Sequence, residues 1–135
     1  MRTDLYKDLY DLDENHWWHV SKRNFCLQLI SKYIKKDKSK ILDVGCGSGR
    51  NIEIFSKFGE CYGIDISRES IRFCKKRGLK NVRIGSCYST GYNNSSFDLI
   101  TILDVLEHTD DKKTLKELNR ILKAKRIFTN YCTCI

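Results

Sequence analysis

Apolar positions change their period along the chain. Between His16 and Lys35 they recur at helical spacing, with Phe25, Leu29 and Tyr33 on one stripe and Cys26, Ile30 and Ile34 on the next. So wide an apolar face predicts a helix laid on a larger surface such as a sheet. A shorter helix is expected before it, over Asp4 to Tyr10. Lys40 to Val44 then reads as a short buried strand, and Arg50 to Phe58 returns to helix through Ile52, Ile54, Phe55 and Phe58. Glu60 to Ile64 predicts a second strand. Ser67 is the expected N-cap of a helix that ends near Arg77, where Gly78 supplies the stop. Val82 to Gly85 predicts a third strand, followed by a polar loop from Ser86 to Ser96. Phe97 to Leu103 is a continuous apolar and β-branched run broken only by Asp98, the pattern of a central parallel strand. Asp110 or Asp111 is expected to cap a helix that turns Leu115, Leu118, Ile121 and Leu122 inward, and Arg126 to Tyr131 to form a last strand.

Strands that alternate with amphipathic helices predict an α/β chain with right-handed crossovers. The expected sheet is open and mostly parallel, with helices on both faces. At 135 residues the chain has room for one hydrophobic core. It divides into a helical lead-in, 1–38, and an α/β core, 39–135.

Composition changes this picture little. Hydrophobic residues make up 41% of the chain and low-complexity tracts are absent, which excludes a disordered class. The formal charge of +8, from 25 Lys and Arg against 17 Asp and Glu, raises a nucleic-acid partner. Many of the lysines, however, fall in KKDKSK (Lys35 to Lys40), in Lys75 to Lys80 and at Lys112, where solvated faces and turns are expected. Of the 7 cysteines, Cys26, Cys46, Cys61, Cys74 and Cys87 lie inside periodic segments and read as small buried hydrophobes. No CxxC or Cys/His cluster offers a zinc site, and the Cys132-Thr133-Cys134 pair has no further ligands nearby. No signal core opens the chain and no apolar run would span a membrane, so a cytoplasmic setting is expected.

The chemistry concentrates in ILDVGCGSGRN, Ile41 to Asn51. Gly45, Gly47 and Gly49 fall at the carboxyl end of the first strand, where ligands of open α/β sheets sit. Glycines there permit positive φ and close backbone approach to an acceptor-rich group. A Walker loop needs four residues between its glycines and then Gly-Lys-Ser/Thr, which is not offered here. A dinucleotide loop prefers GxGxxG, which GCGSG does not match, and this leaves NAD as an alternative. Asp65, 22 residues beyond Asp43, ends the second strand at the spacing of a ribose-binding carboxylate, and capping of the Ser67 helix is its structural alternative.

Four ordered segments, ILDVGCGSG, YGIDIS, SFDLITILDVLEH and LKELNRILK, resemble the class I S-adenosylmethionine-dependent methyltransferases of the small-molecule branch. The resemblance covers roughly Asp4 to Lys123. It implies a three-layer Rossmann-like sandwich, here shortened at the C-terminus, with S-adenosylmethionine as cofactor and a small-molecule methyl acceptor. Carried over by position, it places Asp43, Gly45, Cys46, Gly47 and Gly49 along the methionine part of the cofactor. Asp65 then holds the ribose hydroxyls and Ile66 packs on the adenine. Ser86 stands where the family usually has an Asp facing the adenine amino group, with Cys87 beside it. Asp104 falls on the methionine side, while Glu107 and His108 lie toward the acceptor and make His108 the candidate base. Trp17 and Trp18, in ENHWWHVSKR, are placed to shield the methylsulfonium, with Lys22 or Arg23 near the carboxylate; anchoring of the helix on the sheet is the plainer role for these tryptophans.

After LNRILK the family usually continues with Pro-Gly-Gly and further sheet elements. This chain has Ala124, Lys125 and Arg126 there and stops at Ile135. That departure predicts a cofactor-binding domain with an open C-terminal edge, available to a protein partner. Three functional readings follow: a small methyltransferase, a cofactor-binding domain without turnover, and a basic interaction protein.

Overall fold

The structure, a computed structural model, describes residues 17–34, 39–103, 105 and 108–131. The expected helix over Asp4 to Tyr10, the lysines Lys35, Lys36 and Lys38, and the pair Cys132 and Cys134 lie outside the described residues. So do Asp104 and Glu107.

The elements are α1 (Trp17–Tyr33), β1 (Lys40–Val44), α2 (Arg50–Phe55), β2 (Glu60–Asp65), α3 (Arg68–Lys76), β3 (Val82–Ile84), β4 (Phe97–Leu103), α4 (Asp111–Ile121) and β5 (Leu122–Tyr131). Five strands form one sheet in the order β3-β2-β1-β4-β5, and all four pairings are parallel. Strand order reverses at β1, whose residue Asp43 lies opposite Gly63 on β2 and opposite Thr101 on β4.

Period-two alternation divides the core between the two faces of the sheet. On one face Ile41, Cys61 and Leu99 meet Cys26, Ile30 and Ile34 of the α1 segment, Ile52 and Phe55 of α2, and Ile71 and Cys74 of α3. On the other, Leu42, Val44, Ile64, Ile100 and Ile102 meet Leu118 and Ile121 of α4. Helices on both faces of a parallel sheet make the three-layer Rossmann-like sandwich expected from the sequence. Full burial of side chains such as Ile30, Leu118 or Ile121 contributes about 1.5–3 kcal/mol each. The five cysteines of these layers are buried free thiols, in keeping with their reading as small hydrophobes.

Local signals set the helix ends. Ser67 accepts a hydrogen bond from the Ser70 amide, and Asp110, not Asp111, caps α4 by accepting from the Lys113 amide. Gly78 follows α3 at φ 86°. Asp98, within β4, accepts from the Lys40 amide at 2.9 Å and pairs with Lys123 at 3.4 Å.

Three expectations need correction. Phe25 faces outward, because the stripe of Cys26, Ile30 and Ile34 is the one that meets the sheet. Leu115 is 39% exposed while Thr114 is fully buried, so α4 is rotated from its expected setting, and Leu122 already belongs to β5. Finally, the last strand starts before Arg126: β5 runs on directly from α4 at Leu122, with an irregular register against β4 between Phe97 and Leu99.

Candidate functional site

The carboxyl end of β1 runs straight into the glycine loop. The Gly45 and Cys46 amides both donate to the Ile64 carbonyl of β2, at 2.8 and 3.0 Å, so the loop leaves the sheet already tied to the neighbouring strand. Gly45, Gly47 and Gly49 have φ of 72°, 53° and 84°, the left-handed region that side chains disfavour. Their surroundings differ. A Cβ on Gly45 would collide with Val105, and one on Gly49 would lie 2.8 Å from Cys74 Sγ. A Cβ on Gly47 would meet nothing within 4 Å. Gly45 and Gly49 therefore let the chain pack on itself, whereas Gly47 presents bare backbone to open space.

Gly63, in the middle of β2, forms the floor beneath the loop. A Cβ there would collide with Ile52 and approach Cys46 Sγ at 3.0 Å. Asp43 is buried behind the loop, where its Oδ1 accepts from the Thr101 hydroxyl at 2.7 Å. Cys46 is also turned beneath the loop. A hydrogen bond with Cys74, together with burial, pushes its thiol pKa well above the ordinary range. A thiol held protonated in this way is no nucleophile.

Asp65 joins loop and helix. Its Oδ2 accepts from the Gly47 amide at 3.0 Å and its Oδ1 from the Ser67 amide at 2.8 Å. Each carboxylate oxygen keeps further acceptor capacity toward the cavity beside it. This cavity, about 220 Å³, lies at the carboxyl ends of β1, β2 and β3. Val44, Gly45, Asp65, Ile66, Gly85, Cys87, Val105, His108 and Thr109 line it. Ile66, an apolar side chain at its edge, is 79% exposed. Cys87 is buried, with Sγ 3.5 Å from the Thr114 hydroxyl. The His108 amide donates back to the Val105 carbonyl at 3.0 Å.

The structure thus brings together Gly45, Asp65, Ile66, Cys87 and His108 around one cavity, with Gly47 and Gly49 completing the loop beside it. Ser86 stands next to this group without lining the cavity; its hydroxyl accepts from the Tyr88 amide at 3.1 Å and closes a turn. Asp104 lies outside the described residues. In α1, Trp17 is 68% exposed and Arg23 is buried. Val44, Gly85, Val105 and Thr109 are cavity residues that sequence reasoning missed. Gly85 carried a signal: it ends a predicted strand much as Gly45 follows one, and its amide donates to the Asp65 carbonyl at 3.0 Å.

Bare backbone at Gly47, the Asp65 carboxylate beside it and the exposed Ile66 side chain lie together at this end of the sheet. A family described as a methyltransferase domain matches residues 42–128. An uncharacterized protein of Methanocaldococcus jannaschii is 33% identical over 125 residues, which cover 92% of this chain and 47% of that protein. Phosphoethanolamine N-methyltransferase 1 of Zea mays is 31% identical over 78% of this chain and 23% of its own length. Among solved structures, a S-adenosylmethionine-dependent methyltransferase of Methanosarcina mazei superposes with a TM-score of 0.67 at 30% identity, over 76% of this chain and 55% of that one. The chain spans about half the length of the first curated relatives it matches.

Proposed function

The chain belongs to the class I S-adenosylmethionine-dependent methyltransferases, and on that premise we propose that its cavity holds S-adenosylmethionine for methyl transfer to a small-molecule acceptor. The observation that carries this reading is the juxtaposition of Gly47, open on its Cβ side, with Asp65, hydrogen-bonded to the Gly47 amide, and the exposed Ile66. Bare backbone at Gly47 admits the methionine chain. Asp65 accepts from the ribose hydroxyls with the lone pairs its two amide bonds leave over, and Ile66 and Val105 cover the adenine faces. Gly45, Gly49, Asp43 and Cys46 act from beneath by fixing the loop. Cys87 closes the adenine end, and Ser86, a hydroxyl in place of a carboxylate, leaves the adenine amino group without a charged acceptor there.

S-adenosylmethionine brings a methyl group already activated on a sulfonium, so the protein's share is to align the acceptor and exclude water. His108, at the rim of the cavity, is the residue placed to take a proton from an acceptor that arrives protonated. The Zea mays relative, whose name specifies a small phosphorylated amine, supports a small-molecule acceptor. Five buried free thiols support a reducing, cytoplasmic setting.

Calorimetry with S-adenosylhomocysteine, S-adenosylmethionine and NAD tests the cofactor. Binding of the first two and not of NAD is expected, with Asp65→Asn weakening S-adenosylhomocysteine by about tenfold as a charge-assisted acceptor is lost. Tighter binding of NAD, or an unchanged affinity in the Asp65→Asn protein, overturns the reading. Transfer of a labelled methyl group to small amines and phenols tests turnover.

A further inference from the structure

Two sulfur atoms lie directly under the glycine loop. Cys46 Sγ is 3.9 Å from Cys74 Sγ, and Cys74 Sγ in turn donates to the Gly47 carbonyl at 3.1 Å. Both thiols are buried, at 5% and 0% exposure, and they reach each other from the loop and from α3, 28 residues apart. The result is a chain of two thiols ending on the backbone of the one loop glycine that faces open space.

Cys74 does not act there alone. Three residues on, at the C-cap of α3, Arg77 Nε donates to the Ser48 carbonyl at 2.9 Å. The face of α3 that meets the loop therefore holds two successive carbonyls, those of Gly47 and Ser48. In a trans peptide the C=O and the following N–H point to opposite sides of the chain. Holding the Gly47 carbonyl toward α3 consequently turns the Ser48 N–H away from α3 and fixes the tilt of the Gly47–Ser48 peptide. Left-handed glycines have broad conformational freedom, so this tilt needs an external hold.

We propose that Cys74 is a positioning residue for the cofactor: its thiol orients the Gly47–Ser48 peptide, and through it the open face on which the methionine part is seated. The proposal rests on the reading that this loop holds S-adenosylmethionine. It also separates Cys74 from the other buried cysteines. The Cys61 thiol, 8% exposed and in the same buried cluster, donates to the Gly59 carbonyl two residues away, at 3.8 Å, and serves as a buried thiol with no hydrogen bond to the loop among the described residues. The Cys46 thiol is kept protonated by its bond to Cys74 and by burial, in keeping with a structural chain of S–H groups.

The test compares calorimetric affinity for S-adenosylhomocysteine in the unaltered protein and in Cys74→Ala, Cys74→Ser and Cys61→Ala, each checked by thermal melting. Cys74→Ala is expected to weaken binding by about tenfold, the worth of one hydrogen bond at the upper end of its range. Cys74→Ser, which keeps a donor, is expected to return to within about threefold of the unaltered protein, and Cys61→Ala to leave affinity unchanged while lowering the melting temperature. Equal affinities in the two alanine proteins, or serine as weak as alanine, overturn the proposal. If Cys74→Ala does not fold, Cys74→Val, with the donor removed and the space filled, takes its place under the same criteria. An unaltered protein that fails to bind S-adenosylhomocysteine defeats the cofactor reading and the positioning role with it, whereas normal binding in a donor-less variant defeats the positioning role alone.

Discussion

The two ends of the sheet each carry a cavity, and the two are nearly equal in size. At the carboxyl ends lies the cavity of about 220 Å³ beside the glycine loop; at the amino ends lies one of about 230 Å³, lined by Lys40, Tyr62, Tyr92, Asn93, Ser96 and Phe97 together with Gly91. Volume does not distinguish them, but the state of their walls does. At the amino end the groups are already committed to one another. Phe97 meets the Tyr62 and Tyr92 rings edge-on at 5.6 and 4.8 Å, Tyr62 donates to Glu60 at 2.5 Å, and the Ser96 hydroxyl donates to the Asn93 carbonyl. At the carboxyl end an apolar side chain stands exposed, a glycine shows bare backbone, and a carboxylate aligns two amides while keeping acceptor capacity. One cavity is a seam in the packing and the other is a surface prepared for something else. A site is better recognised by groups the fold leaves over than by empty space.

The contrast can be broken most sharply at Phe97. Replacing this 2%-exposed ring by alanine is expected to cost about 3–5 kcal/mol of stability, read by denaturant unfolding. Affinity for S-adenosylhomocysteine, measured at a temperature where the variant is folded, is expected to stay within about twofold, since sites far apart act independently. A large loss of affinity would show the amino-end cavity to be coupled to the site. Gly47→Val is the converse. A β-branched residue at positive φ costs about 1–2 kcal/mol, and its Cβ meets nothing within 4 Å. Binding is expected to weaken by at least about a hundredfold, roughly 2.7 kcal/mol, because the new side chain fills the space kept for the ligand. Affinity close to that of the unaltered protein would deny Gly47 its role.

A smaller effect tests the segment that joins the two ends. The loop from Ser86 to Ser96 gives Cys87 to one cavity and Tyr92, Asn93 and Ser96 to the other, and Glu117 of α4 clamps it midway by accepting from the Thr90 amide and hydroxyl. The Arg120 guanidinium, aided by those Thr90 bonds, lowers the Glu117 carboxyl from 4.5 to about 2, against a smaller opposing effect of burial. A carboxylate with a depressed pKa adds stability that is present above its ordinary value and is lost as pH falls from 4.5 through about 2. Glu117→Gln is therefore expected to unfold with a shallower acid dependence across that window, measured by melting at stepped pH. An unchanged slope would mean that Glu117 does not clamp the loop.

Much of this architecture is legible in the sequence because buried parallel strands announce themselves. Ile41 to Val44 and Phe97 to Leu103 are apolar or β-branched throughout apart from Asp43 and Asp98, and β1 and β4 occupy the ranges those runs predict. Ser67 and Asp110 are legible as caps for the same reason: the chemistry is local. The rotation of α4 is not local. Leu115 and Thr114 are neighbours on the helix, and only packing against the sheet decides which is buried. The site divides likewise. The glycine pattern marks the loop, but which glycine is open depends on Val105 and Leu79, 60 and 30 residues from the glycines they crowd. Gly85, Val105 and Thr109 reach the cavity only through the order of the strands. Cys74 looked like one more buried thiol, and its bond to Gly47 exists only once α3 has docked.

Gly63 extends this to evolution and design. It touches nothing that would be bound, yet the absence of one carbon atom there lets Ile52 and Cys46 settle against β2. Restoring that carbon would lift the whole cradle off the sheet. The depth of the proposed binding surface is thus recorded at a position that a search among ligand contacts would pass over, and any effort to regraft this loop onto another parallel sheet must carry the glycine of the neighbouring strand with it.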